Sequence, residues 1–177
     1  PNRRLEIIGD SYACGYGVES SSVQCDSLRP SENADKAFGA LLAQDLQAEY
    51  HLEAFSGKGI IRNWGEKTVT SADPFPPLFD QTLCRDAKSA WDFTKWTPHA
   101  VIIHLGLNDF STAPEASQKE FARAYLELIK HIRDKYPKTV IVCAAPTEQF
   151  GLATLLDKVV EKANDAGDKD VILLTYP

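Results

Sequence analysis

The stretch Leu5-Glu6-Ile7-Ile8-Gly9-Asp10-Ser11 joins an apolar run directly to a polar turn that ends in a serine. A second stretch has the same form, because the apolar run from Ala100 to Leu105 is followed by Gly106-Leu107-Asn108-Asp109. Polar side chains at the carboxyl ends of buried parallel strands lie where open α/β sheets bind their ligands. The two stretches therefore predict that Ser11 and Asn108 meet at one edge of a sheet.

Further apolar runs, separated by helical patterns, extend this arrangement to five strands. The predicted strands are Leu5 to Ile8, His51 to Phe55, Ala100 to Leu105, Thr139 to Ala144 and Val171 to Thr175. Strands that alternate with helices form a parallel sheet with helices on both faces. We therefore expect an α/β fold, a three-layer α/β/α sandwich around a flavodoxin-like sheet of five parallel strands.

Three amphipathic patterns predict the helices between these strands. The second follows Ser117-Gln118-Lys119-Glu120, a capping box in which side chains satisfy the first free amides, and Pro137 ends it. The third precedes Gly167, which suits a left-handed helix cap. The predicted core-facing residues are Phe38, Leu41, Leu42 and Leu46 in the first helix, Phe121, Tyr125, Leu128 and Ile132 in the second, and Leu152, Leu155, Leu156, Val159 and Ala163 in the third.

The interval from Thr68 to Pro98 interrupts the alternation of strands and helices. It is rich in proline around residues 74–77 and holds Trp91 and Trp96, so we expect a long loop with a short helix. Loops of this length inside a compact domain are often functional. Two interpretations are equally supported: a wall of a ligand cleft, or a surface excursion held by buried aromatic side chains.

The composition indicates one ordinary soluble domain over residues 1–177, with 44 % hydrophobic and 25 % charged residues. A net charge of −6 argues against nucleic acid or an anionic membrane as a partner, because both require a basic surface. No apolar run approaches the roughly 20 residues that span a bilayer. Since no signal-like segment precedes Leu5, we expect that the natural start was removed with a signal peptide or an upstream domain.

The cysteines and glycines predict no metal and no other cofactor. Cys143 falls in a predicted strand and is interpreted as a buried free thiol, whereas Cys25 and Cys84 fall in polar stretches where an oxidising compartment would permit a disulfide. The sequence has no Cys-x-x-Cys pair and no histidine pair at ligand spacing. Residues 15–17, Gly-Tyr-Gly, lack the third glycine of a dinucleotide-binding motif.

The ordered motifs resemble the SGNH, or GDSL, hydrolase superfamily, in which Ser, Gly, Asn and His come from four separate blocks. Ser11 matches the serine, Gly57 in Phe55-Ser56-Gly57-Lys58-Gly59 matches the glycine, and Asn108 matches the asparagine. The resemblance implies the SGNH hydrolase fold.

The stretches Gly9 to Glu19, Ser56 to Asn63 and Leu107 to Ser111 look like carbohydrate esterase family 2, and the similarity runs from about Leu5 to about Pro146. That family contains secreted deacetylases of plant-wall polysaccharides. The resemblance therefore implies an extracellular esterase that removes acetyl groups from a polysaccharide or oligosaccharide through an acyl-enzyme on Ser11. Two alternatives stay open: an SGNH lipid or thioester acylhydrolase, and a non-catalytic carbohydrate-binding relative.

The resemblance also implies a role for each matched residue. The Ser11 amide, the Gly57 amide and the Asn108 side chain would form an oxyanion hole, and glycine would let its N–H approach a ligand closely. Asp10 and Asp109 are expected to support the site by accepting loop amides and holding the Ser11 and Asn108 turns in place, with Asp109 as a histidine orienter the minor alternative. Trp64 is expected either to stack on a sugar ring or to pack in the ordinary way, and the two are equally supported.

The fourth block, the histidine that would accept the Ser11 proton, is missing, because no histidine follows His131. In the family it follows the last strand. His51 and His99 are predicted at the opposite end of the sheet, His131 is predicted to be solvated on a helix, and His104 is predicted to be a satisfied core histidine. We therefore expect an incomplete domain whose base comes from a C-terminal segment or a second chain; a degenerate relative is the remaining possibility.

Overall fold

The computed structural model of the chain describes residues 3–22, 31–84 and 86–177 and contains a parallel sheet of five strands within them. The strands are β1 (Arg4–Gly9), β2 (Glu49–Ala54), β3 (Ala100–His104), β4 (Val140–Pro146) and β5 (Val171–Tyr176). Their order is β2-β1-β3-β4-β5, and every neighbouring pair is parallel. This flavodoxin-like order confirms the predicted fold class.

The three predicted helices lie between the strands where they were expected, and two short helices that were not predicted follow β1 and β3. They are α1 (Ser11–Cys14), α2 (Phe38–Asp45), α3 (Leu107–Phe110), α4 (Gln118–Lys135) and α5 (Leu152–Asp165), with 3₁₀ helices at Ala34–Lys36 and Pro76–Asp80. The predicted cap of α4 is present, because Ser117 Oγ accepts the N–H of Glu120. Within the described residues, no helix combines the length and the hydrophobicity needed to span a bilayer.

Side chains of alternate strand residues divide the core into two layers. Ile8, Val101 and Ile103 face α4 and α5 on one side of the sheet. On the other side, Leu5, Ile7 and Ile102 pack with Ala13 of α1 and Ala43 of α2. Because successive strand residues point to opposite faces, one apolar run supplies both layers. The result is the predicted three-layer sandwich.

The packing of α2 differs from the sequence prediction. Leu41 is 49 % exposed and Leu46 is also exposed, although both were predicted to face the core. The buried residues of α2 are Gly39 and Ala43. A side-chain Cβ at Gly39 would lie only 3.0 Å from Ile7, so α2 approaches the sheet closely through its small residues. This approach leaves Leu41 and Leu46 on the solvent side.

The predicted long loop over residues 68–98 contains a 3₁₀ helix and one isolated bridge, between Gln81 and Ala90. Its Phe75 and Phe79 are buried in the core, and Trp96 stacks on His51 of β2 with ring centroids 3.8 Å apart. These contacts support the interpretation of an excursion held by aromatic side chains.

The cysteines are free thiols wherever the structure describes them. Cys143 is buried in β4, as predicted, and burial raises the pKa of its thiol to about 12. Cys84 is exposed and free, and Cys25 lies outside the described residues.

Two carboxyl groups of β1 and β2 lie next to each other, and the sequence analysis did not predict them. Glu6 of β1 is fully buried and accepts a hydrogen bond from the Tyr136 hydroxyl over 3.4 Å. Glu53 of β2 is its neighbour and hydrogen-bonds it. Burial raises the pKa of Glu6 to about 7 and that of Glu53 to about 10. The pair therefore retains protons near neutral pH.

Candidate active site

Ser11 lies at the carboxyl end of β1, where the strand turns sharply into α1. Asp10 is the N-cap of that helix, and its Oδ1 accepts the N–H of Tyr12 over 3.1 Å. Ser11 is half-buried, and no side chain among the described residues hydrogen-bonds its hydroxyl. The strand, the cap and the helix together leave this hydroxyl available for a ligand.

Asn108 lies at the carboxyl end of the neighbouring strand β3, as predicted. The chain leaves β3 through Gly106, whose φ of +124° an L side chain rarely adopts, and enters α3 at Leu107. The Asn108 side chain is buried and donates from Nδ2 to Asp10 Oδ2 over 3.1 Å and to the Lys58 carbonyl over 2.8 Å. It therefore brings together the three segments that carry Ser11, Gly57 and Asn108.

Both hydrogens of the Asn108 amide face protein acceptors. A primary amide carries two N–H hydrogens, and the Asp10 and Lys58 oxygens match both of them. A substrate oxygen at this position would have to share one of these hydrogens. Burial also raises the pKa of the Asp10 carboxyl to about 7, so proton uptake by Asp10 alters one of the two acceptors.

Gly57 begins a turn after β2, and we call residues 57–66 the Gly57 loop. Its φ is +86°, and a Cβ built there would contact nothing within 4 Å. The backbone conformation itself therefore requires glycine, which adds a second reason to the predicted close approach of a ligand. The Gly57 N–H has no acceptor among the described residues, and its carbonyl accepts the N–H of Trp64 over 2.8 Å.

Asp109 supports the site differently from the sequence prediction. Its fully buried carboxylate accepts the backbone N–H groups of Ile60, Ile61 and Arg62, each over 2.9 Å. Burial raises its pKa to about 6, while these amides lower it. Asp109 therefore holds the Gly57 loop, not its own turn. No histidine in the described part of the chain hydrogen-bonds it, so the structure gives no support to the alternative role as a histidine orienter.

Arg62 is a component of the site that the sequence analysis missed. Its guanidinium is fully buried in the Gly57 loop. It donates to the carbonyls of Thr68, Asn108 and Glu66 over 3.1, 3.3 and 2.5 Å, and to Thr112 Oγ1 over 3.0 Å. From the sequence, an arginine in a polar loop is expected to be exposed. Its burial depends on acceptors that only the folded structure brings together.

The structure describes all four histidines of the sequence, and none of them hydrogen-bonds Ser11. His51 stacks on Trp96, the ring of His99 accepts the N–H of Arg4 over 3.1 Å, and His131 bonds Asp80 over 2.9 Å. The prediction that His131 is only solvated was therefore wrong, because Asp80 of the long loop reaches it. Over the described ranges, no group of three or more His, Cys, Asp or Glu side chains is arranged to hold a metal ion.

His104 lies beside Asp10 and is buried, as predicted. Its Nε2 hydrogen-bonds the Tyr176 hydroxyl, and its Nδ1 lies 4.0 Å from Asp10 Oδ1. Burial lowers its pKa to about 4, so the ring is neutral at neutral pH. Its Nδ1 has no hydrogen-bond partner, which departs from the prediction of a fully satisfied ring.

Exposed aromatic side chains surround this end of the sheet. Trp64, near the tip of the Gly57 loop, is 63 % exposed, so its alternative role in ordinary packing was wrong. Tyr12 and Tyr16 follow β1, and Phe150 follows β4 with a strained φ of +55°. In the described residues these four are the large aromatics that are mainly exposed. Their common location is typical of a surface that stacks on flat ligands.

A cavity of about 560 Å³ lies beside the Gly57 loop, between it and the long loop. Its walls include Phe55, Lys58, Pro74, Pro77, Leu78 and Gln81. The Lys58 ammonium closes one side by donating to the backbone carbonyl and the carboxylate of Asp73. The long loop is therefore held to the core and also lines this cavity, and its role as the wall of a ligand cleft stays a prediction.

The five-stranded sheet, with Ser11, Gly57 and Asn108 at the carboxyl ends of three adjacent strands, has the architecture of the SGNH hydrolases. Residues 7–169 match the model of the GDSL-like lipase/acylhydrolase family. The chain belongs to this family.

Solved structures and curated proteins show which kind of esterase the chain is similar to. A family two carbohydrate esterase from Clostridium thermocellum, solved with cellohexaose, superposes with a TM-score of 0.91 at 32 % identity, over 99 % of this chain and 54 % of that chain. The cellulase/esterase CelE of Acetivibrio thermocellus is 33 % identical over 99 % of this chain and 22 % of its own length. An acetylxylan esterase / glucomannan deacetylase of Cellvibrio japonicus is 30 % identical over 93 % and 48 %. The expected similarity to carbohydrate esterase family 2 is confirmed, and the chain spans about half or less of these proteins.

Proposed function

We propose that this chain is the catalytic domain of a serine esterase that removes acetyl groups from plant-wall polysaccharide. The observation that carries the proposal is the Asn108 amide, which joins the Ser11 turn and the Gly57 loop through 3.1 and 2.8 Å hydrogen bonds. In this proposal the half-buried Ser11 hydroxyl, which has no partner among the described residues, faces the Gly57 N–H and the Asn108 amide. The names of the similar esterases support acetylated polysaccharide over a lipid or thioester substrate.

The proposed reaction has two steps. Ser11 Oγ attacks the acetyl carbonyl carbon and loses its proton to a base, and the carbonyl oxygen becomes negative. The Ser11 and Gly57 N–H groups and the Asn108 amide donate to this oxygen, and loss of one such donor costs about 10²- to 10³-fold in rate. Collapse of the intermediate breaks the bond between the carbonyl carbon and the sugar oxygen, which leaves as a hydroxyl by taking the proton from the base. Water then gives a proton to the same base and attacks the acetyl group on Ser11, and acetate leaves as Ser11 Oγ regains the proton.

The base of this reaction is proposed to come from outside the 177 residues, either from a C-terminal segment or from a second chain. The support is that each of the four histidines is engaged elsewhere, His104 with Tyr176 and the others with aromatic, backbone or carboxylate partners. A neutral imidazole approaching the open side of Ser11 would accept its proton in the first step.

The substrate is proposed to be a neutral acetylated polysaccharide or oligosaccharide that lies across the exposed aromatic side chains. Trp64 offers the largest of these surfaces, and a sugar ring presents apolar C–H groups to such a face. Polymeric substrates of this kind lie outside cells, and for this reason we propose an extracellular location.

The test compares the chain with Ser11→Ala on an aryl acetate and on acetylated xylan, with and without imidazole as an external base. Loss of the base of a catalytic triad costs on the order of 10⁶ in turnover, so slow hydrolysis is expected without imidazole. Imidazole should raise the rate for the chain and not for Ser11→Ala. Hydrolysis that survives Ser11→Ala would contradict the proposal, and polysaccharide binding without any Ser11-dependent turnover would instead indicate a binding protein.

A further inference from the structure

The Gly57 loop carries two groups that serve different parts of the proposed reaction. The Gly57 N–H is a proposed oxyanion donor, and the Trp64 ring is the proposed sugar platform. The two residues that carry these groups are joined through the backbone, because the Trp64 backbone N–H donates to the Gly57 carbonyl over 2.8 Å. The loop is therefore closed on itself, and a change at one of these groups is transmitted to the other.

Buried charged side chains fill the interior of this closed loop. The Asp109 carboxylate accepts three consecutive loop amides, and the Arg62 guanidinium donates to the carbonyls of Glu66 and Thr68. The packing leaves no spare room, since a Cβ at Gly59 would lie 2.0 Å from the Arg62 carbonyl oxygen and 2.5 Å from Asp109 Oδ2. Buried charges are costly unless they are fully hydrogen-bonded, so these groups specify one loop conformation.

Thr112 connects the tip of the loop to the segment that carries Asn108. Its Oγ1 accepts from the Arg62 guanidinium over 3.0 Å and from the Gly65 N–H over 3.1 Å. Arg62 also donates to the Asn108 carbonyl over 3.3 Å. Residues 108–112 therefore carry the Asn108 amide, which is proposed to bind the oxyanion, and also groups that hold the Gly57 loop next to it.

We propose that Asp109, Arg62 and Thr112 are positioning residues that hold the Gly57 N–H and the Trp64 ring as one rigid unit against Asn108. Sugar binding on Trp64 and oxyanion stabilisation at Gly57 then depend on the same buried hydrogen bonds. The identity of the ligand rests on the proposed function, whereas the rigidity of the loop does not.

The test uses Thr112→Val, which removes the hydroxyl at nearly constant shape, and Thr112→Ser, which keeps it. Hydrogen exchange of the peptide covering residues 57–66 reports loop order, and calorimetry with cellohexaose reports sugar binding. We expect about tenfold faster exchange and about tenfold weaker binding for Thr112→Val, and values near those of the unchanged chain for Thr112→Ser. Unchanged exchange in Thr112→Val would overturn the proposal.

Two further variants separate positioning from a general loss of stability. Asp168 forms a bidentate ion pair with Arg133, at 2.8 and 3.0 Å, outside the candidate site. Asp168→Asn disrupts this pair and should lower Tm without changing hydrogen exchange in the Gly57 loop or the affinity for cellohexaose. Trp64→Ala should abolish the effect of Thr112→Val on affinity, because Thr112 acts through the Trp64 platform. If the effects of Thr112→Val and Trp64→Ala on affinity were fully additive, the proposed coupling between Thr112 and the Trp64 ring would be wrong. If the unchanged chain fails to bind cellohexaose, the proposed sugar site is wrong, and the exchange result still decides whether these residues hold the loop.

Discussion

The Asn108 side-chain amide donates to Oδ2 of Asp10 over 3.1 Å, although the two residues are 98 positions apart. The other oxygen of the same carboxyl accepts the N–H of Tyr12 and caps α1. One buried carboxyl group therefore orients the helix that begins at Ser11 and the amide that faces it. This dual contact makes the two candidate functional groups depend on a single side chain.

We expect Asp10→Asn to weaken both folding and Ser11-dependent turnover. The asparagine side chain has only one acceptor oxygen. Its NH2 group would therefore replace the acceptor of either the Tyr12 N–H or the Asn108 amide, and that hydrogen bond would be lost. The expected loss in the free energy of unfolding is about 1–3 kcal/mol. It should be measured by denaturant unfolding at about pH 5, below the Asp10 pKa of about 7, where neither side chain carries a buried negative charge in the folded state. Asp134→Asn on the exposed face of α4 should change stability by less than about 0.5 kcal/mol, and equal effects of the two would contradict this account.

Alanine substitutions at the two glycines of the Gly57 loop should differ in kind. Gly59→Ala places a Cβ against the Arg62 carbonyl and Asp109, so we expect overpacking to lower the free energy of unfolding by about 3 kcal/mol or more. Gly57→Ala meets open space and should cost about 1–2 kcal/mol of backbone strain. Thermal unfolding of both variants measures the difference. A larger loss for Gly57→Ala would show that the packing around Gly59 is looser than described.

Trp64→Ala should reduce oligosaccharide affinity without affecting folding. The side chain is 63 % exposed, and surface substitutions of this kind change stability by about 0.5 kcal/mol or less. Calorimetry with cellohexaose should show about tenfold weaker binding, since aromatic contacts contribute on the order of 1 kcal/mol. Leu83→Ala is a matched control, because Leu83 is similarly exposed, at 61 %, on the long loop. Equal affinity of Trp64→Ala and the unchanged chain would remove Trp64 from the proposed platform.

Stability should fall as pH rises from about 5 to about 8, in part because of Glu6. Burial raises the Glu6 pKa from 4.5 to about 7 in the folded chain, so the folded state binds more protons than the unfolded state between these values. The resulting stabilisation is complete below about pH 4.5 and is lost as pH rises through about 7. Glu53, Asp10 and Asp109 also have raised pKa values and act in the same direction.

Glu6→Gln should make this pH dependence shallower, because an amide cannot ionise. We expect a reduction of about 1–3 kcal/mol in the loss over that pH range, measured by denaturant unfolding at several pH values. Glu161→Gln, on the exposed surface of α5, should retain the original slope. A parallel pH dependence in Glu6→Gln and the unchanged chain would mean that Glu6 is not protonated in the folded state.

Elements that depend on local sequence were predicted well. The strand bounds differ from the predicted ones by two residues at most, and Ser117 caps α4 as its capping box indicated. Ser11 and Asn108 were placed correctly because each directly follows its strand. The face of α2 was predicted wrongly, since the close approach of Gly39 to Ile7 outweighed the spacing of Leu41 and Leu46. Helical periodicity identifies an amphipathic helix, but contact with the sheet selects the buried side.

The amino-acid order alone was sufficient to predict the parallel sheet and the Ser11 and Asn108 turns, because hydrophobic periodicity and turn residues are local properties. Only the tertiary structure decided that Asp109 holds the Gly57 loop, that Arg62 is buried, and that Glu6 is buried next to Glu53. Asp109 lies 47 to 49 positions from the amides it accepts, and a charged residue whose partners are so distant resembles an exposed one in the sequence. Burial of a charge depends on hydrogen-bond partners that folding alone brings together.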